Sequence, residues 1–333
     1  MDSIAIIGAG SWGTTVASIA AASTRTVLWA RREELARAIN VTRSNPDYLP
    51  TLSLPPALTA TSELNRAIEG ADAVVMAVPS HGFRDVFTRI TPMLETSTPV
   101  VSLTKGIEQG TLARMTEVID DVSADHDPAV RGVLTGPNLA AEIVAGHPTA
   151  TVIAMRDHDT AERLQTLFMG PTFRVYTNDD VVGCELAGAM KNVMAIASGM
   201  SDGLGFGDNT RATLLTRALA ELSRLGVALG GRPETFAGLA GMGDLIATCS
   251  SDKSRNHQVG FGLARGKRLE EIIAEMNMVA EGVKTTRSVL GLAERTGVDM
   301  PIATHVGMVL EDEITPKEGV LSLMTREAKR ELR

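Results

Sequence analysis

The sequence is poor in the features that mark several large classes of protein. Its 333 residues contain two cysteines, Cys184 and Cys249, far apart and without a CxxC pair or a neighbouring histidine cluster. That usage excludes a disulfide framework and a structural zinc site and fits a reducing compartment, with both thiols expected buried and inert. Basic residues are outnumbered, 32 Lys and Arg against 40 Asp and Glu, for a formal charge of -8. Non-specific nucleic-acid binding needs a cationic surface and is excluded, although a local basic pocket for an anionic metabolite remains open. No uncharged apolar run reaches the roughly 18 residues of a spanning helix. Residues 1–3 enter an apolar strand directly, with no basic n-region or small-residue cleavage site. A cytoplasmic chain without signal peptide or stable membrane anchor is therefore expected. None of the histidines, His81, His126, His147, His158, His257 and His305, stands at a metal-ligand spacing or beside a Ser/Asp pattern, so no metal is expected.

What is present has a two-part plan. The length exceeds what most single cores use, so two domains are expected. From residue 4 to about 177, short β-branched runs alternate with Ala/Leu/Glu-rich amphipathic segments, predicting parallel strands with helical crossovers at 4–7, 26–29, 73–77, 100–103, 132–134, 149–154 and 173–176. Several of these runs are almost wholly apolar, as strands buried on both faces are. Beyond about residue 180 the strand signal stops. Helices are predicted at 181–201, 209–229, 233–239, 256–265, 269–276, 285–296 and 302–311. The expected division is a sheet domain over residues 1–180 and a helical domain over 181–333.

The chain opens with "IAIIGAGSWGTTVASIAA". Ile4–Ile7 reads as a strand, Gly8, Gly10 and Gly13 follow the spacing G-x-G-x-x-G, and a small-residue helix comes next. This is the context of a dinucleotide-binding turn: Gly8 permits the tight turn, Gly10 lets a pyrophosphate approach the backbone, and Gly13 lets the helix pack on the strand, with the N–H groups at the helix start, where Ser11 stands, facing the anion. The fold class is therefore α/β, an N-terminal Rossmann-type doubly wound sheet followed by an all-helical C-terminal domain. At the end of the second strand, where an Asp or Glu would bond the ribose 2′-hydroxyl of NADH, the sequence reads Arg31-Arg32. Guanidinium groups there suit the 2′-phosphate of NADPH. A solvated helix start is the bland alternative, and Glu33 and Glu34 could still reach a 2′-hydroxyl, so NADPH is favoured over NADH without excluding it.

Further along stand "VPSHGF", "SLTKGIE", "LTGPNLAAEI", "ELAGAMKNVMAIASGMSDGLGFGDN", "GLAGMGDLIATCSSDKSRNHQVG" and "VAEGVKTT". In this order the set resembles the bacterial NAD(P)-dependent glycerol-3-phosphate dehydrogenases, from about residue 4 to residue 310. The resemblance implies reversible reduction of dihydroxyacetone phosphate, a small phosphorylated three-carbon substrate, to sn-glycerol 3-phosphate, with a role in supplying the glycerophospholipid backbone. It is consistent with a homodimer, which no segment specifies.

The resemblance also distributes roles. It makes Lys191 the proton donor and acceptor on the substrate oxygen, where local sequence alone reads a snorkelling lysine at the border of an apolar helix face. An ammonium there stabilises the developing alkoxide and then protonates it. Lys105, at the carboxyl end of a predicted parallel strand, is the second lysine, in contact with substrate and cofactor. Asp244 orients Lys191, with Thr248 one turn later on the same face and Asn192 beside it. "Ser254-Arg255-Asn256" starts a helix and offers an N-cap, free N–H groups and a guanidinium to the substrate phosphate, with Arg255 also reaching the cofactor. Gly136, Asn138 and Ala140 line the loop between the domains; Asn138 stands where the family often has a hydroxyl residue or a tyrosine, and keeps a binding role. Trp12, Val279 and Glu281 close over the nicotinamide end. Two rival readings remain: a Rossmann reductase of the hydroxyisobutyrate or phosphogluconate type, disfavoured by "KSRN" and the paired lysines, and a nucleotide-sensing regulator without catalysis.

Overall fold

The protein is described by a computed structural model covering residues 1–276, 280–328 and 330–331. Eight strands form one sheet: β1 Ser3–Ile7, β2 Arg25–Trp29, β3 Leu58–Thr61, β4 Ala73–Met76, β5 Val100–Ser102, β6 Arg131–Thr135, β7 Thr149–Met155 and β8 Phe173–Asn178. Their order across the sheet is β3-β2-β1-β4-β5-β6-β7-β8. β1, β4 and β5 are buried at every position, which explains why they read as unbroken apolar runs; each fully buried Val or Ile there contributes about 1.5–3 kcal/mol. β1 pairs with β2 on one side and β4 on the other. The strand order reverses at that point, and ligands of open α/β sheets bind outside the carboxyl ends of such strands.

Two features depart from the expected sheet. β3 has only four residues, alternates buried and exposed positions and lies at the edge, so its short "LTAT" offers too little apolar pattern to stand out. β7 runs antiparallel to β6, contrary to the uniformly parallel reading. The connection between them carries only the five-residue helix Ala140–Val144. The chain turns back beside β6, whereas a parallel neighbour would need a crossover spanning the sheet.

The helical half is organised around Val181–Gly203, which is buried almost throughout. This helix is long and apolar enough to cross a bilayer, but 89% of its apolar window is covered by the protein itself. Asp208–Ala228, Arg255–Ala264, Glu281–Thr296 and Pro301–Leu310 surround it. Its small residues set the distances. A Cβ at Gly199 would lie 1.9 Å from the carbonyl oxygen of His257, and one at Gly260 would lie 1.9 Å from that of Ile196, so the Arg255–Ala264 helix meets it backbone to backbone. Near its start, Glu185 accepts from the Thr116 amide at 2.9 Å and pairs with Arg114, tying the helix to the sheet half. Not anticipated were a π-helical turn at Leu239–Gly243 and the helix Pro316–Met324, while the turn expected from Asp244 to Thr248 belongs to a helix, Asp244–Cys249; Glu281–Thr296 also begins earlier than expected. The π-helical turn lies in the Gly-rich stretch "GLAGMG", where packing overrides weak propensity.

Candidate active site

Four of the anticipated side chains converge where the halves meet. Lys191 projects from the central helix, and its Nζ donates to Asp244 Oδ1 at 2.9 Å and to Thr248 Oγ1 at 2.6 Å. Lys105, just past β5, donates from its Nζ to the other carboxylate oxygen, Asp244 Oδ2, at 2.6 Å and to the Gly136 carbonyl at 2.8 Å. Asp244 and Thr248 stand one turn apart on Asp244–Cys249, and the Thr248 hydroxyl is 3.2 Å from Asp244 Oδ1. One carboxylate thus holds two ammonium groups, one from each half. Gly188 lets Thr135 pack against the central helix beside the cluster: a Cβ there would sit 2.8 Å from Thr135 Oγ1, while Lys105 Cγ, at 3.6 Å, would remain in ordinary contact.

The charges are largely buried, with side-chain exposure of 7% for Lys191, 2% for Asp244 and 16% for Lys105. Burial pushes the Lys105 ammonium down to about 8, and the like charge of Lys191 works in the same direction against the attraction of Asp244. Burial opposes ionisation of Asp244, but the two ammonium groups outweigh it and hold the carboxyl below its ordinary range. The cluster carries one net positive charge when fully ionised, placed to meet an oxygen that becomes negative.

Beside it lies the start of Arg255–Ala264. The Ser254 side chain caps the helix, accepting from the His257 amide at 3.3 Å, while desolvation lowers the Arg255 guanidinium from its ordinary value and the nearby Glu281 carboxylate works against that. Asn192 and Asn256 are engaged in a polar chain: Asn192 Nδ2 donates to the Lys105 carbonyl at 3.0 Å, Asn256 Nδ2 donates to Asn192 Oδ1 at 3.0 Å, and Asn256 Oδ1 accepts from the Gly282 amide at 2.9 Å. Their amides therefore brace the cluster. Asn138 Nδ2 donates to Thr151 Oγ1 at 3.1 Å, and its buried Oδ1 has no partner among the described residues. Ala140 begins Ala140–Val144.

On the nucleotide side, Gly8 has φ +125°, and a Cβ there would lie 2.5 Å from the Ala77 carbonyl oxygen. At Gly13 it would lie 2.0 Å from the Gly8 carbonyl, whereas at Gly10 it would enter open space. The Ser11–Ala20 helix has no side-chain cap, so its first N–H groups and the open face at Gly10 fit a pyrophosphate. The Trp12 ring is tilted against Phe173, with centroids 6.4 Å apart. Arg31 and Arg32 are exposed past β2, and Arg32 pairs with Asp47. Glu33 is drawn to Arg37 at 2.8 Å. Glu281 reaches across the halves to accept from Ser80 Oγ at 2.8 Å. Val279 lies outside the described residues.

Residues 3–161 match the family described as NAD-dependent glycerol-3-phosphate dehydrogenase N-terminus, and residues 180–321 match its C-terminus counterpart. The chain belongs to the NAD-dependent glycerol-3-phosphate dehydrogenase family. A relative named glycerol-3-phosphate dehydrogenase [NAD(P)+] 2 from Sphingopyxis alaskensis is 54% identical over 96% of each chain. One named glycerol-3-phosphate dehydrogenase [NAD(P)+] from Streptomyces coelicolor is 51% identical over 99% of this chain and 98% of its own. The crystal structure of glycerol-3-phosphate dehydrogenase from Coxiella burnetii superposes with a TM-score of 0.93 at 36% identity, covering 98% of this chain and 99% of that one.

Three residues of this dehydrogenase escaped the sequence reading. Asn45 is fully buried and its Nδ2 donates to the Ala9 carbonyl at 2.9 Å and to Thr14 Oγ1 at 2.8 Å, bracing the phosphate turn. Tyr48 lies close enough to feel both Arg32 and Arg255. Ser80 receives Glu281. Two of the three share "NPDYLP", whose one sequence signal, an Asn-Pro turn, points only to a loop.

Proposed function

We propose that the chain reduces dihydroxyacetone phosphate to sn-glycerol 3-phosphate with NADPH or NADH, reversibly, through Lys191. A dinucleotide held at the Gly8–Gly13 turn would supply, from its nicotinamide C4, the hydride that reduces the ketone carbon. As that carbon is reduced, Lys191 donates a hydrogen bond and then its proton to the substrate oxygen; in the reverse direction neutral Lys191 takes the hydroxyl proton. Asp244 and Thr248 fix the ammonium in direction. Lys105 adds a second positive charge at the substrate and touches the cofactor. Ser254, Arg255 and the positive end of the Arg255–Ala264 helix seat the substrate phosphate.

In this reading residues 1–180 hold the nucleotide and residues 181–333 hold the substrate, Asn138 Oδ1 accepts from a substrate hydroxyl, and Gly8, Gly10, Ser11 and Gly13 cradle the pyrophosphate. The enzyme works in the cytoplasm without a stable membrane anchor and pairs as a homodimer, which size-exclusion chromatography with light scattering tests. The carrying observation is the single carboxylate of Asp244 holding one lysine from each half. The test is NADPH oxidation by purified protein, followed by absorbance, with dihydroxyacetone phosphate and with 2-keto acids of similar size. Turnover of the phosphorylated ketone alone is expected; turnover of the keto acids alone favours the other reductase types.

A further inference from the structure

The corner of the nucleotide site past β2 holds a charge that the sequence pattern does not announce. Arg31 and Arg32 are both exposed there, but they are not equivalent. The Arg32 guanidinium pairs with the Asp47 carboxylate, both partly open to water, while among the described residues Arg31 makes no ion pair. Asp47 is held in place from behind: its amide donates to Asn45 Oδ1 at 3.3 Å, and the Leu49 amide donates to the Asn45 carbonyl at 2.9 Å. Asn45 is the buried residue that braces the phosphate turn, so the carboxylate is built onto the same frame as the pyrophosphate cradle.

We infer that Asp47 sets the balance between NADH and NADPH: it neutralises one of the two cations open to a ribose 2′-phosphate and adds a fixed negative charge at the same corner. This rests on reading the two arginines as the 2′-phosphate contacts. In many dinucleotide folds a carboxylate at the end of the second strand selects the 2′-hydroxyl; here the strand ends in arginines, and the carboxylate arrives from the loop after the next helix, Glu33–Thr42. The corner carries one net positive charge from these three residues instead of two, which suits an enzyme taking either cofactor. Arg32 is also the N-cap residue of that helix, and its one ion pair among the described residues is with Asp47.

The test measures dissociation constants of NADPH and NADH by fluorescence for the wild type, Asp47→Asn, Arg32→Ala, Asp47→Asn with Arg32→Ala, and Arg31→Ala with Arg32→Ala. Removing a like charge from the surroundings of a phosphate dianion in a wet site corresponds to about three- to tenfold in affinity. Asp47→Asn is therefore expected to tighten NADPH by about that factor and to leave NADH within about twofold. The gain shrinks at high salt and shrinks again when Arg32 is absent; a gain of the same size without Arg32 overturns the pairing role. An unchanged NADPH-to-NADH ratio in Asp47→Asn, with a ratio that falls in the double arginine variant, overturns the inference and leaves the arginine reading standing. A ratio unmoved in both overturns both. The melting temperature of Asp47→Asn serves as the folding control and is expected to hold, since an exposed ion pair contributes little.

Discussion

The lysine cluster and the arginine corner use the same chemistry, a carboxylate between cations, in opposite settings. Asp244 is buried and bonded on both oxygens by Lys191 and Lys105, and almost no water reaches it. Asp47 and Arg32 are 40% and 55% exposed, and Arg31 beside them is exposed as well. The buried arrangement cannot lose a member without stranding a charge in a poorly solvated site. The exposed one can be retuned at little cost to stability. A catalytic centre that must be the same in every turnover belongs in the first setting, and a cofactor preference that a lineage can adjust belongs in the second.

The largest effect that would break this contrast comes from Asp244. Asp244→Asn leaves the two lysines uncompensated and is expected to cost about 3–5 kcal/mol of stability, read as a lower urea midpoint, with turnover reduced by at least about 10². A midpoint equal to wild type would mean that the cluster is far wetter than its geometry. Lys191→Ala should keep the fold and the NADPH dissociation constant but lower kcat by about 10² or more; a loss confined to KM would move Lys191 from proton transfer to binding. Arg255→Ala should instead raise KM for dihydroxyacetone phosphate by about 10-fold or more with a smaller change in kcat. An unchanged KM places the phosphate elsewhere.

The buried setting also leaves a signature in pH. Lys105 releases its proton near pH 8 in the folded protein and near pH 10.4 in an unfolded chain, about the ordinary lysine value. Between those values the unfolded chain binds the extra proton, so stability rises with pH across that window, and below about 8 the cost of the buried charge is fully felt. Asp244 has the opposite sign: its contribution is present above the ordinary carboxylate range and is lost as pH falls through its depressed value. Urea unfolding of Lys105→Met from pH 7 to pH 10 should show the rise seen in wild type largely removed. A slope that survives the substitution belongs to another group.

How much of this was legible follows from where each residue sits. The phosphate turn is contiguous, and its glycines state their reasons locally, so Gly8, Gly10 and Gly13 could be read directly. Lys191 could not: its spacing placed it at the edge of an apolar face, and only the resemblance of "GAMKNVMAIASG" in its wider order gave it a role. Its burial depends on Asp244 and Thr248, more than fifty residues further along. The pairing of Arg32 with Asp47 was hidden because nothing in "NPDYLP" says that the loop folds back on the phosphate turn; that is decided by Asn45, whose partners Ala9 and Thr14 are 36 and 31 residues distant. The same limit applies to β7. Its apolar run was visible, but its direction was set by a short connection, a property of the path between strands.

The smallest expected effect is the one that separates the two arginines. If Arg32 is already satisfied by Asp47 while Arg31 is not, they should differ as 2′-phosphate ligands although they are neighbours with the same side chain. A charge-assisted bond contributes about 1.5–3 kcal/mol when shielded, and less in a wet, screened corner. Arg31→Ala should therefore weaken NADPH by about five- to tenfold, and Arg32→Ala by about twofold, because losing Arg32 also removes what held Asp47 in place and lets the carboxylate turn away from the phosphate. NADH, which has no 2′-phosphate, should change by less than about twofold in both. Salt sharpens the comparison: the Arg31 difference should fade as the Debye length drops from about 10 Å at 0.1 M to about 3 Å at 1 M, while kcat at saturating cofactor, governed by the buried cluster, should move far less. Equal losses for both cofactors in Arg31→Ala would assign that arginine to the adenosine or to the local fold, and a larger loss in Arg32→Ala than in Arg31→Ala would mean that the bound phosphate displaces Asp47 and takes the paired arginine for itself.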